Sequence, residues 1–172
     1  MKKLLGMILT LALAAGLAWP VYAESSTVPP EVTAHAYLVM DAQTGQVLVQ
    51  KGGAERNYPA SITKIMTLAL AMEKCGGDMT QQVTVSPDAV YSLEAGSSHV
   101  ALQPGEVVSL NDLFHATILA SANDAANVLA EYTAGSMEAF VELMNAKAAE
   151  LGLAGTHFVN ANGLHSADRS EE

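Results

Sequence analysis

Ser61 and Lys64 stand three residues apart in the run Tyr58-Pro59-Ala60-Ser61-Ile62-Thr63-Lys64-Ile65-Met66-Thr67. At that spacing on a helix, a hydroxyl and an amine meet on one face, one turn apart. At the positive end of a helix buried among apolar residues, the pair suits nucleophilic catalysis. The hydroxyl attacks, and an amine whose pKa is lowered by burial takes its proton. The same residues fit a plainer role, because a serine near a helix start is commonly a cap and Ser-x-x-Lys recurs by chance. Further along, Ser121-Ala122-Asn123 adds a second hydroxyl and a carboxamide. Alone, that segment reads equally as a helix-to-helix turn with local side-chain bonds.

A helix over residues 62–75 would position the first pair, with Pro59 and Ala60 leading in and Ser61 in the first turn. Its residues are apolar on almost every face, among them Ile62, Ile65, Met66, Leu68, Leu70, Met72 and Cys75, which predicts burial all round. Gly76-Gly77 ends it. Before it, residues 34–40 and 46–50 flank Asp41-Ala42-Gln43-Thr44-Gly45 and read as a β-hairpin. After it, 82–85 reads as a short strand, Ser86-Pro87-Asp88 as a helix or turn start, and 102–106 as a turn before Val107-Val108. Ser109 should cap a helix running through Leu119, with Asp112 in the capping-box position. Helices are expected over 125–132 and 137–151, the latter with Phe140, Leu143, Met144 and Ala148 on one face. Strands thus come first and helices later, and a lone hairpin keeps an uncovered edge.

The 172 residues, 50% hydrophobic and 15% charged, suit one compact domain. Lys2-Lys3, an apolar run over 4–18 and the exit Val21-Tyr22-Ala23 read as a signal peptide over 1–23. The run looks short for its alternative, a retained membrane anchor. The mature protein is therefore expected to be exported, to the periplasm or the outer face of the cell membrane. Residues 24–33, with Pro29-Pro30, read as a linker. A net charge of -10 without a basic patch argues against nucleic acid as partner. The five histidines lack the close helical pairing of a zinc site, so neither a metal nor another cofactor is expected. Cys75 is the only cysteine, which excludes an internal disulfide and leaves it a core residue.

Ser61-x-x-Lys64 and Ser121-x-Asn123 together match two of the three motifs of penicillin-binding proteins and class A β-lactamases. The chain resembles the D-alanyl-D-alanine carboxypeptidases, the low-molecular-mass penicillin-binding proteins of peptidase family S11. The resemblance rests on residues 59–67 and 121–126, on Asp41-Ala42-x-Thr44-Gly45 and on Gly96-Ser97-Ser98. Met144-Asn145-x-Lys147-Ala148 and Phe158-x-Asn160-x-x-Gly163-Leu164-His165 add to it, so that it runs from about Ala34 to His165.

That resemblance implies an α+β fold of the serine β-lactamase/DD-peptidase (transpeptidase-like) kind over 34–172. It implies that Ser61 attacks the carbonyl between two D-alanines of a peptidoglycan stem peptide to form an acyl-enzyme. Lys64 would be the base, and the Ser61 N–H one oxyanion donor. Ser121 would relay a proton to the leaving amine, while Asn123 would bind the substrate amide or fix Lys64. Asn160 and Gly163 would form a turn beneath the site. β-Lactam antibiotics are then expected as covalent inhibitors. Membrane association through an absent C-terminal segment stays open.

The family's third motif, Lys-Thr-Gly or a variant, does not occur after Asn123. The chain thus reads as an N-terminal portion, cut before the later sheet strands, and the non-catalytic alternative is a cell-envelope binding fragment. A serine β-lactamase is the other alternative, but it needs a glutamate for deacylation. Glu142 and Asn145 are spaced one residue too closely for that role.

Losing one oxyanion donor costs roughly a hundred- to a thousandfold in rate. Residues 24–172 expressed alone are accordingly expected to be poorly soluble and to release no detectable D-alanine from a diacetyl-Lys-D-Ala-D-Ala substrate. Parent-like turnover by the soluble segment would refute this.

Overall fold

The computed structural model describes residues 31–165. The signal peptide expected over 1–23, most of the linker expected over 24–33, and residues 166–172 lie outside the described residues. The chain divides into two compact units, one ending at Glu55 and the other beginning at Arg56.

In the first unit β1 (Tyr37–Met40) pairs antiparallel with β2 (Val47–Lys51), Tyr37 opposite Lys51, with an irregularity between Val39 and Met40. The turn is built by Asp41, whose Oδ1 accepts from the Gln43 N–H (3.1 Å), the Thr44 N–H (2.7 Å) and the Thr44 hydroxyl (2.7 Å). Such side-chain closure is what makes Asp a turn former. Leu38, Val39, Met40, Val47 and Leu48 all stay exposed, so the hairpin shows apolar side chains on both faces. That composition belongs to strands made to be covered on both sides.

The second unit is mostly helical. A 3-10 turn, Ala60–Thr63, runs into α1 (Lys64–Cys75). Then come β3 (Gln82–Thr84), α2 (Pro87–Tyr91), β4 (Val107–Ser109), α3 (Leu110–Leu119), α4 (Asn123–Ala134) and α5 (Met137–Glu150). Ser86, Ser109 and Ser136 cap α2, α3 and α5 by accepting the N–H groups of Ala89, Asp112 and Ala139. Asp112 Oδ2 takes the Ser109 hydroxyl at 2.7 Å, and not the Ser109 backbone N–H that a capping box would use. β3 and β4 form a second antiparallel pair, Val83 opposite Val108. In the sequence Val107-Val108 stands out only as a pair of residues after a turn, because a three-residue strand is too short to carry a period.

The helix enclosed on all sides is α4, not α1. Every residue from Asn123 to Ala130 is buried, and α1, α2, α3 and α5 all pack on α4. On one side lie Leu110, Leu113, Phe114 and Leu129; on the other, Leu70, Ala130, Phe140 and Met144. The expectation that α1 would be buried all round therefore needs correction. Leu70, Ala71 and Cys75 point inward, but Ile62 and Ile65 are 66% and 62% exposed. An all-apolar pattern says that a helix can be covered on each side; the neighbours decide which side is. Among the described residues, no helix is long and apolar enough to cross a membrane.

Asp124, on the first turn of α4, is buried and accepts the N–H groups of Val100 (3.2 Å), Leu102 (3.0 Å) and Ala125 (2.9 Å). It thereby ties the loop after Ser98 to the start of α4. Asp124→Ala would strand these donors and is expected to destabilise the fold by about 2–3 kcal/mol. Asp124→Asn, which keeps an acceptor oxygen, should lose less. Urea midpoints of the three proteins check the order.

Candidate active site

The site is assembled where the 3-10 turn runs into α1. Lys64 Nζ lies 3.0 Å from Ser61 Oγ, the one-turn contact expected from their spacing. The Ser121 hydroxyl donates to Ser61 Oγ at 2.7 Å, bringing a residue 60 positions away onto the same oxygen. Ser61 itself is exposed, while Lys64 is only 2% exposed. Burial pushes the Lys64 amine below its ordinary pKa of 10.5. The direction is the one that desolvation gives to any cation. No carboxylate of the described residues pairs with it; its other partner is the Asn162 carbonyl, 2.7 Å from Nζ.

Asn162 carries no role in the sequence motifs, and it belongs to a turn laid along α1. Thr67, one helical turn beyond Lys64, donates to the Ala161 carbonyl at 2.6 Å, so α1 grips two consecutive carbonyls. Asn160 Oδ1 accepts the N–H groups of Asn162 (3.2 Å) and Gly163 (2.6 Å), and its Nδ2 donates to the Leu164 carbonyl (2.7 Å). This is the turn expected from Asn160 and Gly163. The signal for Asn162 is its place inside that turn, but nothing in a sequence says which backbone carbonyl an amine will find.

Two conformational features sit against Ser61. Ala60, directly before Ser61, has φ 49°, and Ser121 has φ 53°. Both are in the left-handed region that costs an L-residue about 1–2 kcal/mol. Non-glycine residues persist there where the surroundings over-determine them, often at functional sites. At Ser121 the conformation turns the chain between α3 and α4 and brings Oγ to Ser61. Gly163, with φ 83°, passes so close to Ala60 that a Cβ there would run into the Ala60 carbonyl. The exposed Tyr58 ring meets the His165 ring edge-on, centroids 5.1 Å apart, beside the same contact.

Asn123 is placed differently from the other three. Its backbone N–H donates to the Ser98 carbonyl at 2.9 Å, and it is 3% exposed. Among the described residues no hydrogen bond joins its carboxamide to Lys64, which is held by Asn162 instead. The Ser61 N–H takes no part in the backbone bonds of the 3-10 turn.

A hydroxyl flanked by a second hydroxyl and a buried, pKa-lowered amine can add to a carbonyl and pass its proton on. The sequence signature of peptidase family S11, D-alanyl-D-alanine carboxypeptidase, matches residues 23–171. The chain belongs to this family. It is 41% identical over 148 residues to the D-alanyl-D-alanine carboxypeptidase DacC of Escherichia coli (strain K12), covering 83% of this chain and 37% of DacC. With DacF of Bacillus subtilis (strain 168) it shares 35% identity over 167 residues, 95% of this chain and 43% of the relative. The crystal structure of penicillin binding protein 6B from Escherichia coli matches with a TM-score of 0.76 at 37% identity, over 84% of this chain and 47% of that one. The chain therefore has the α+β, transpeptidase-like fold of the family and spans less than half the length of these relatives.

The S11 motifs outside the site acquire physical roles here. In Met144-Asn145-x-Lys147-Ala148, Met144 and Ala148 are buried on α5. Asn145 accepts the Phe158 N–H and donates to the Phe158 carbonyl, both at 2.8 Å, and so ties down the start of the Asn160 turn. Lys147 reaches Glu73 on α1 and Glu150, each at 3.1 Å, and these carboxylates hold its pKa up. Glu142 is exposed, and the Asn145 carboxamide is taken up by the Phe158 backbone.

Gly163→Ala should push Ala60 and Ser61 out of place. Small misplacements of reacting groups can cost on the order of a hundredfold in rate. A loss of that size is expected in acylation by a fluorescent penicillin, with helix content by circular dichroism retained. A Gly163→Ala protein that acylates normally would mean the contact is not needed.

Proposed function

We propose that the protein acts as a serine-type D-Ala-D-Ala carboxypeptidase, removing the terminal D-alanine from peptidoglycan stem peptides outside the cytoplasm in cell-wall biogenesis. The observation that carries the reading is Ser61 Oγ held between Lys64 Nζ at 3.0 Å and Ser121 Oγ at 2.7 Å, with the amine buried. The family and its named relatives support the substrate class.

Ser61 Oγ adds to the carbonyl carbon of the scissile bond, and its proton passes to the neutral Lys64 amine. One amine N–H held on the Asn162 carbonyl leaves the nitrogen lone pair able to face Ser61 Oγ. The Ser61 N–H, at the positive end of the turn and α1, is the first donor to the oxyanion. As the tetrahedral adduct collapses, Ser121 relays the proton to the departing D-alanine nitrogen, and the acyl group stays on Ser61. Water then attacks the ester, the same amine accepts its proton, and Ser61 is regenerated. The Asn123 side chain, in the first turn of α4 two residues after Ser121, is the group for the substrate's amide. β-Lactams would stop at the acyl stage and serve as covalent inhibitors.

In the full-length protein, Ser61→Ala is expected to abolish both penicillin labelling and D-alanine release; labelling retained at another serine would end the reading. Lys64→Arg carries a charge that cannot be removed near neutral pH. It should slow acylation by on the order of a hundredfold or more.

The pH dependence has a definite sign. The reactive amine is the neutral one, so wild-type acylation should rise with pH through an inflection below 10.5. Lys64→Arg should lack that inflection. Stopped-flow rates against pH decide it, and a flat wild-type profile would remove Lys64 as the base.

A further inference from the structure

Asn127 is buried, at 3% exposure, within a helix whose neighbouring positions are Ala126, Val128 and Leu129. It lies one helical turn beyond Asn123, on the same side of α4. An apolar residue would fill such a position without desolvating an amide, which costs about 1–3 kcal/mol when left unpaired. Here the amide is fully engaged. Nδ2 donates to the Ala89 carbonyl of α2 at 3.1 Å and to the Ser92 hydroxyl at 3.3 Å, while Oδ1 accepts from Asn162 Nδ2 at 3.1 Å.

The orientation of both amides is dictated by partners that can act in one way only. The Ala89 carbonyl can only accept, so Nδ2 of Asn127 faces it and Oδ1 faces Asn162. The Leu164 N–H can only donate, and it reaches Asn162 Oδ1 at 2.9 Å, so Nδ2 of Asn162 faces Asn127. A directed chain of bonds therefore runs from α2 through Asn127 to Asn162, whose backbone carbonyl holds Lys64 Nζ. Lys64 and Thr67 grip that turn from α1, and Asn127 grips it from α4.

We propose that Asn127 is a positioning residue for acylation: by holding Asn162, it fixes the turn that seals Lys64 and the carbonyl on which the amine rests. The inference rests on the carboxypeptidase reading above. Release of the turn admits water to the amine. Burial is what lowers its pKa, so hydration returns it towards 10.5 and leaves less neutral amine near neutral pH. A residue that merely stabilised the fold would leave that titration where it was.

The experiment compares full-length wild type, Asn127→Leu, Asn162→Ala and the double variant. It measures acylation by a fluorescent penicillin from about pH 6 to about pH 10, the span over which a buried lysine titrates. Each single substitution is expected to slow acylation near neutral pH by on the order of ten- to a hundredfold, and to move the midpoint of the pH profile upward. Because both cut one link, the double variant should be no slower than the slower single. An unmoved midpoint, or losses that multiply in the double variant, overturns the proposal while the carboxypeptidase reading stands. A wild-type protein that is not acylated overturns both. If Asn127→Leu does not fold, Asn162→Ala decides alone through its midpoint, since it leaves the bonds from Asn127 to Ala89 and Ser92 in place.

Discussion

An amine taken out of water is the constraint around which this structure is arranged. Lys64 is almost wholly buried, no carboxylate among the described residues neutralises it, and its partners are a hydroxyl and a backbone carbonyl. Both can accept from either protonation state, and neither compensates a full charge. The amine is therefore pushed below its ordinary pKa in the folded state only. Between the lowered value and 10.5 the unfolded chain binds more protons than the folded one. Stability from this group thus rises with pH across that window, and below it Lys64 opposes folding in full. The burial that lowers the amine's pKa is also what makes the site costly to fold, and the core around α4 has to offset it.

The same opposition recurs in the backbone. Ala60 and Ser121 hold left-handed conformations that neither side chain favours, and both flank Ser61 Oγ. What keeps Ala60 there is the close pass of Gly163, a position where a Cβ has no room. What keeps Ser121 there is the start of α4, tied through Asp124 to Val100 and Leu102 and through the Asn123 N–H to Ser98. Local strain of about 1–3 kcal/mol per residue survives only where surroundings of this kind over-determine it. The turn over 160–163 is thus as much a part of the site as the two motifs, although it supplies backbone rather than reactive side chains.

What is legible in the sequence divides along physical lines. Ser61 and Lys64 are legible because helix spacing alone brings a hydroxyl and an amine together. Ser121 is legible because its motif occurs at a compatible distance in a known family. The caps Ser86, Ser109 and Ser136 follow from local rules, and so does the Asp41 turn. Non-local pairings are hidden. The β3–β4 pair joins segments of three residues each, and Lys64 finds a backbone carbonyl 98 residues away. The burial of α1 is over-read for a related reason: apolar content reports how a helix can be covered, whereas Ile62 and Ile65 show where it is not. Asn127 leaves a faint trace as a second asparagine one turn after Asn123, on a helix otherwise rich in alanine.

The distribution of polarity on α1 separates two tasks. Its inner face carries Lys64 and Thr67, both buried and both bonded to the 160–163 turn, while its outer face carries the exposed Ile65, next to the exposed Ile62 of the 3-10 turn. Lys64 is thus buried although Ile62 and Ile65 beside it are exposed. Both hydrogen-bond partners of the amine, Ser61 and Asn162, lie within residues 56–165. Binding the substrate is a different demand, since it needs donors aimed at positions that the substrate will occupy. Of these the unit offers the Ser61 N–H and the Asn123 carboxamide. In the proposed reaction, activation of Ser61 and positioning of the substrate thus rest on different groups.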